Sequence, residues 1–340
     1  MKILYFTDIH LKGVNPKSRK DNYLEAICKK LTEVGEIGNT LKVDCFLCGG
    51  DLFDLYDPAY SVTNKLISIF KGYRAPIFTI IGSHDYDGYN LTTLPRTAIG
   101  NLIQSGVLKS LKEFICPIVR GTENKSLVSI TGFNHSIDMD KNLNVYKEKS
   151  KDTAIYKIGV YHSMLLDKPF PFCDFTLLSD VAKVTSFDCI LSGHYHPGYK
   201  TEVINVKDNK AQFIETNTFQ HSKRDGKDIL FCNPGAISRL TKTERKPKCA
   251  VLTILKDWGI SIQEIYLKSV VSDVFIEQEN TTTEIELNAK TSACIDRMNE
   301  AIQHFEVASP LDKALFVAKD LKKNDKVHVL LKELINKISS

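Results

Sequence analysis

Aspartate and histidine recur along this chain in short blocks. They are Asp8-Ile9-His10, Gly50-Asp51-Leu52-Phe53-Asp54, Gly82-Ser83-His84-Asp85 and Gly193-His194-Tyr195-His196, with a lone His162 between the last two. Carboxylates and imidazoles are ligands that hard and borderline divalent cations accept. A fold that gathers Asp8, His10, Asp51, His162, His194 and His196 at one rim could hold two such ions, with a carboxylate shared between them. Two ions about 3.5–4 Å apart are the usual equipment for attacking a phosphate ester. One block alone would be a weak signal. Repetition of the blocks is what carries weight.

Each block is positioned by a short apolar run. Lys2–Phe6 precedes Asp8, Val43–Leu47 precedes Asp51, and Ile77–Ile81 precedes His84. Ile155–Tyr161 leads into His162, and Phe187–Leu191 precedes His194. These runs predict short buried strands, so the candidate ligands stand just past strand ends, where α/β proteins place their sites. Asp21–Val34 and Ser61–Gly72 are helical candidates, and strands alternate with helices to about residue 105. From about 107 to 267 the pattern is mainly strands, clearest at Ser126–Phe133, Ala211–Glu215, Ile229–Cys232, Cys249–Leu255 and Ile260–Leu267. The polar stretch 136–153 reads as a mobile surface loop. Early βαβ units followed by strand-rich sequence predict an α/β fold of two packed sheets flanked by helices.

The order D-x-H, G-D-x-x-D, G-S-H-D, H, G-H-x-H resembles the calcineurin-like metallophosphoesterase superfamily over about residues 1–265. Gly50–Tyr60 (GDLFDLYDPAY) and the Asn233–Arg239 loop are similar to the nuclease subunit of SbcCD-type DNA-repair complexes of bacteria and phage. The resemblance implies a four-layer α/β/β/α sandwich. It places Asp8, His10 and His196 on a first metal, Asp51 between two metals, and His162 and His194 on the second. His84 would be the catalytic histidine acting on the leaving group, oriented by Asp54. Ser83 stands where the family usually has an asparagine that ligates the second metal. A hydroxyl is shorter and weaker, so Ser83 could bind directly, through a water, or not at all. Two divalent ions are implied as cofactors, manganese first and magnesium as the alternative. The implied partners are DNA and an SbcC-type ATPase subunit, with a homodimer as a further arrangement.

Composition agrees with a globular enzyme. With 340 residues, 43% of them hydrophobic and 25% charged, the chain can form one large domain plus an appendage. No apolar run approaches ~18 residues, so no membrane helix is expected. Asp8 interrupts the first apolar run before it could serve as a signal-peptide core, and a cytoplasmic protein is expected. The nine cysteines are scattered. The C-x-x-C Cys45-Phe46-Leu47-Cys48 lies in a predicted strand whose alternation points the two thiols to opposite faces. Neither a disulfide framework nor a zinc site is expected.

The net charge of +4 is too small to announce a nucleic acid, but its distribution is uneven. Arg239, Lys242, Arg245, Lys246 and Lys248 crowd around a single Glu244, and Lys12, Lys17, Arg19 and Lys20 follow His10. Beside a metal site either group could grip phosphates, with Arg239, Lys242 and Arg245 as the candidates. A solvated hairpin tip would look the same in sequence.

The expected organisation is a phosphoesterase domain over 1–268, a polar linker over 269–290 with a short strand at Val274–Ile276, and a helical extension over 291–340. Apolar stripes there include Ile295, Met298, Ile302 and Phe305, then Val327, Leu330, Leu331, Leu334, Ile335 and Ile338. Short amphipathic helices need a surface to bury against. By resemblance, the coiled-coil base of an ATPase subunit is one such surface. Two rival functions remain. A small-molecule phosphodiesterase or phosphatase would have no use for the extension and the basic rim, and a non-catalytic scaffold is opposed by the retained ligand set.

Overall fold

Side chains of β1 (Lys2–Phe6) are buried on both faces of the strand. Ile3 and Tyr5 pack to one side, Leu4 and Phe6 to the other. A strand with both faces covered lies between two apolar layers, and that arrangement organises the molecule. The computed structural model describes residues 1–276, apart from 121–123, 148–153, 155, 171–172, 215–217, 220–225, 243, 256–258 and 272–273. The helices expected over 291–340, and the linker beyond 276, lie outside the described residues.

After β1 come α1 (Tyr23–Leu41), β2 (Cys45–Cys48), α2 (Tyr60–Phe70), β3 (Ile77–Thr79), α3 (Ala98–Gln104) and β4 (Lys109–Ser110). β1 to β4 pair in parallel. A second set follows as β5 (Glu113–Arg120), β6 (Asn124–Phe133), β7 (Tyr156–Ser163), β8 (Leu165–Leu166), β9 (Thr176–Leu177), α4 (Leu178–Val184) and β10 (Cys189–His194). The chain closes with β11 (Tyr199–Lys207), β12 (Lys210–Ile214), β13 (Thr218–Phe219), β14 (Lys227–Asn233), β15 (Lys248–Leu255) and β16 (Gly259–Tyr266). Among the described residues there are two seven-stranded sheets, ordered β13-β16-β15-β1-β2-β3-β4 and β12-β11-β14-β10-β7-β6-β5, and a small β8-β9 pair.

Three apolar layers account for the packing. Leu4, Phe6, Phe46 and Cys48 meet α1, α2 and α3 through Ile27, Leu31, Leu66, Phe70 and Leu102. Ile3, Tyr5, Cys45 and Leu47 meet Ile130, Ile158, Val160, Leu191 and Cys232 between the sheets. Tyr161, Ile190 and Phe231 meet Leu178 and Val181 of α4 on the far side. This is the expected α/β/β/α sandwich. Cys45 and Cys48 do fall on opposite faces of β2.

Several expectations change. α1 continues through Gly35 and Gly38, which in the sequence look like breakers. A Cβ at Gly38 would lie 2.3 Å from the Phe46 ring, so the glycine lets the helix lie close on the sheet. α4 has no counterpart among the helices expected from sequence. Within the stretch expected to be a loose surface loop, residues 136–147 are held: Tyr146 is fully buried and its hydroxyl lies 2.7 Å from that of Ser163, while 148–153 lie outside the described residues. No helix among the described residues is long and apolar enough to cross a membrane.

Residues 269–271 and 274–276, expected to begin the linker, lie on the domain. The amides of Lys268 and Ser269 donate to the Glu33 carboxylate, and the amides of Lys20 and Ile276 donate to the carbonyls of Val274 and Ser18. The compact unit therefore runs from Met1 to Ile276. Phe275 sits 5.5 Å from the Arg19 guanidinium and 5.2 Å from that of Arg239. Arg19, a phosphate contact by its place in the sequence, is instead buried and bonded to the Asp21 carboxylate and the Arg239 carbonyl. Burying a phenyl ring stabilises by about 1.5–3 kcal/mol. Phe275→Ala should thus lower stability by about 2 kcal/mol, read from urea denaturation. Ending the chain after Lys268 should cost at least as much as Phe275→Ala.

Candidate metal centre

Strand ends from both sheets converge at one rim. Asp8 and His10 follow β1, Asp51 follows β2, and Ser83 and His84 follow β3. His162 is not past its strand but inside it, as the penultimate residue of β7, and His194 ends β10. Those two strands pair in parallel with Gly193 opposite His162. The backbone at the rim is bent hard: Asp8, His10, Asp51 and His194 have φ of 54°, 44°, 51° and 76°. Non-glycine residues take this left-handed form at a cost of about 1 kcal/mol or more each. It persists because the turns are tied together. The amides of Asp8, Ile9, His10 and Leu11 donate to the carbonyls of Gly50, Asp51 and Leu52. Asp85, which the motif leaves without a role, is the second tie. Its buried carboxylate accepts from the amides of Asp51, Leu52 and Gly82, each at 2.9 Å. Across the sheets, the His194 amide donates to Asp8 Oδ1 at 3.0 Å.

The side chains form overlapping sets. Asp8, His10 and His196 bring one donor atom each within 4.8 Å of one another, as do His10, Asp51 and His84, and Asp51, His162 and His194. Asp51 Oδ2 is 3.5 Å from His10 Nε2 and 3.1 Å from His162 Nε2, so one carboxylate lies between two imidazoles. Nε2 of His10 and Nε2 of His196 are 2.9 Å apart.

These contacts fit cations. His162 Nδ1 lies 2.7 Å from the Gly49 carbonyl, which can only accept, so that nitrogen carries a proton. Nε2 faces Asp51 Oδ2 at 3.1 Å, and a proton or a metal cation must lie between these two electron-rich atoms. Burial opposes protonation of His162, but the Asp51 carboxylate overrides it and pushes the imidazole up to about 10. A setting that favours a proton there favours a metal ion in the same place. Burial holds His10 well below its ordinary value, against the pull of Asp51. A neutral His10 ring keeps one nitrogen lone pair free for a cation. His196 Nδ1 lies 3.5 Å from Glu244, whose carboxylate orients the ring; metal-binding histidines commonly carry such a partner.

The remaining expected residues divide. His84 is exposed, and its Nδ1 donates to the Asp54 carbonyl at 2.8 Å. Asp54 thus orients His84 through its backbone, because its carboxylate is taken by the Lys12 ammonium at 3.1 Å. Ser83 donates to Asp51 Oδ2 at 3.2 Å. Lys242 and Arg245 are exposed. Arg239 stacks on Phe275 and Lys248 pairs with Glu264, so these two members of the basic cluster hold the fold. Sequence reasoning missed Glu244, hidden among cations, and missed His135 and Asp140, which make a fourth donor set with His194. Applying the strand-end rule to β6 would have found His135, two residues beyond Phe133.

A Cβ at Gly82 would lie 2.2 Å from both the amide nitrogen and Oδ1 of Asp51. Gly82→Ala should displace that carboxylate in a protein that still folds. Manganese(II) affinity should fall about 10–100-fold, as when the supports of a metal ligand are lost. Calorimetric titration, with circular dichroism as the folding control, checks this.

Residues 1–198 match the family model of the calcineurin-like phosphoesterases. No curated protein matches the chain. Among solved structures, the calcineurin-like phosphoesterase YfkN from Bacillus subtilis is 14% identical with a TM-score of 0.48, over 86% of this chain and 97% of that one. A dimetal phosphatase from Danio rerio is 10% identical with a TM-score of 0.44, over 78% of this chain and 98% of that one. A 5'-nucleotidase precursor from Thermus thermophilus is 11% identical with a TM-score of 0.44, over 78% of this chain and 54% of that one. Likenesses at this level carry no argument about activity. The family match spans more than half of the chain, and its first 198 residues include five strand ends of the aspartate–histidine rim: the chain belongs to the calcineurin-like phosphoesterase family.

Proposed function

We propose that this phosphoesterase is a manganese-dependent DNA nuclease, the catalytic subunit of an SbcCD-like repair complex in the cytoplasm. The observation that carries its chemistry is the Asp51 carboxylate set between His10 and His162, with the exposed His84 beside them. Two divalent ions bound there would bring the pKa of water toward ~7 and offset the charge of a phosphate. Asp8, His10 and His196 would hold one, Asp51 both, and His162 and His194 the other.

The chain's own groups supply the rest. Because the Asp54 carbonyl accepts from His84 Nδ1, Nε2 is the ring nitrogen left for substrate. In the protonated ring, Nε2–H donates to the departing oxygen as the phosphorus–oxygen bond breaks. The ring of His10, edge-on at 4.8 Å, fixes where His84 stands. DNA as substrate is supported by the exposed Lys242, Arg245 and Lys246, and by the link through Glu244 from that segment to His196. It is supported further by the resemblance of Gly50–Tyr60. The helical stripes beyond residue 290 are the proposed dock for an SbcC-type ATPase.

Asp51→Asn and His196→Ala should each abolish manganese-dependent hydrolysis of bis(p-nitrophenyl) phosphate while circular dichroism stays native. A folded Asp51→Asn protein with normal turnover would end the two-metal account. His84→Ala should lower turnover by about 10²–10⁴-fold with metal content unchanged by mass spectrometry; lost metal would make His84 a ligand. Digestion of linear duplex DNA separates a nuclease from a small-molecule phosphoesterase. Lys242→Glu with Arg245→Glu should slow that digestion and flatten its salt dependence, because each lost phosphate contact removes about one unit of salt slope.

A further inference from the structure

The connection from β6 to β7 brings two more donors to the rim. We propose that His135 and Asp140 hold a divalent cation together with His194, next to the Asp51–His162–His194 position. The proposal rests on reading the rim as a metal centre, but His135 and Asp140 lie in none of the sequence blocks that led to that reading.

Donor atoms of His135, Asp140 and His194 all lie within 4.8 Å of one another. His135 is only 5% exposed, and its ring centroid is 5.6 Å from that of His194. The Tyr86 hydroxyl stands 3.0 Å from His135 Nδ1 and 3.1 Å from the His135 carbonyl oxygen. A carbonyl can only accept, so it takes the hydroxyl proton. The hydroxyl oxygen then accepts from Nδ1–H, which leaves Nε2 with its lone pair. Metal-bound imidazoles show this pattern, with one nitrogen given to the ion and the other donated to a neighbour.

Asp140 is arranged in the same way. Its Oδ1 accepts the Met164 amide at 2.6 Å, while Oδ2 lies 3.4 Å from His194 Nε2. The turn that carries it is anchored rather than loose. Thr176 donates to the Asp140 carbonyl at 2.8 Å, and the adjacent Met139 is buried. Ser83, meanwhile, offers the centre only a hydroxyl that already donates to Asp51. The additional imidazole and carboxylate meet at His194, whose Nε2 lies 3.4 Å from Asp140 Oδ2; for His194 to hold ions at both positions, its ring N–H proton would have to pass to solvent and leave an imidazolate. Two imidazoles and a carboxylate suit manganese(II), iron(II) or zinc(II).

The test counts ions on the full-length chain. Wild type, His135→Phe, Asp140→Asn and Asp51→Asn are stripped with a chelator, then equilibrated separately with manganese(II) and zinc(II). Bound ions per chain are measured by plasma mass spectrometry, with circular dichroism as the folding control. His135→Phe and Asp140→Asn should each carry one ion fewer than wild type for at least one of the metals. Asp51→Asn should lose ions of the pair and keep the one at His135. Asp140→Asn changes a single atom, so it reads the site even if the ring replacement at 135 does not fold. Unchanged numbers and affinities in both variants would overturn the proposal and leave Asp140 as an acceptor for His194. A folded wild type that binds no ion would overturn the reading of the rim itself.

Discussion

A buried carboxylate facing imidazole nitrogens is the constraint on which the rest of this molecule depends. Asp51 is 1% exposed and lies between His10 and His162. A carboxylate taken out of water without a partner is costly, and it persists only when paired or bound to a metal. Asp8 adds a second fully buried carboxylate at the same rim. The backbone adds further cost, since four ligand-bearing residues hold left-handed conformations. Charge and strain are concentrated where the two sheets meet. The surrounding fold has to be strong enough to keep them there.

That strength comes from ordinary packing. Alternation along β1, β2, β7 and β10 places one set of side chains between the sheets and another under helices, so each sheet is held on both faces. The ties at the rim are mostly backbone amides given to carboxylates and carbonyls. Lys30 illustrates how far this goes: its buried ammonium donates to the carbonyls of Ile237 and Ser238, and burial brings it down to about 7. Through it, α1 grips the loop after β14. The amides of Ile237 and Ser238 in turn bind the carbonyls of Thr7 and Asp8. A bound cation would relieve the rim's repulsion, and at 100 times its dissociation constant it would stabilise the fold by about 2.7 kcal/mol.

Much of this is legible in the residues. The apolar runs before Asp8, Asp51, His84 and His194 are short, and each ends in glycine or a polar residue, so strand ends and ligands can be read together. What escapes has weaker local signals. Asp85 is one residue past His84, yet its work is to accept amides from a loop more than thirty residues away in sequence. Glu244 looks like a lone acid among cations, although its carboxylate faces His196. The motif makes Asp54 a side chain acting on His84, but a neighbouring lysine takes the carboxylate and the carbonyl makes the contact. His135 and Asp140 lie in a polar segment whose anchoring depends on Tyr146 and Met139 packing against the second sheet, which no local pattern reveals.

Anomalous diffraction from crystals grown with manganese(II) would show whether Asp51 sits between two ions. Two strong peaks should appear within coordination distance of Asp51, one shared with His10 and the other with His162. A well-ordered rim in which protonated His162 donates directly to Asp51, with no anomalous peak at either side, would contradict it.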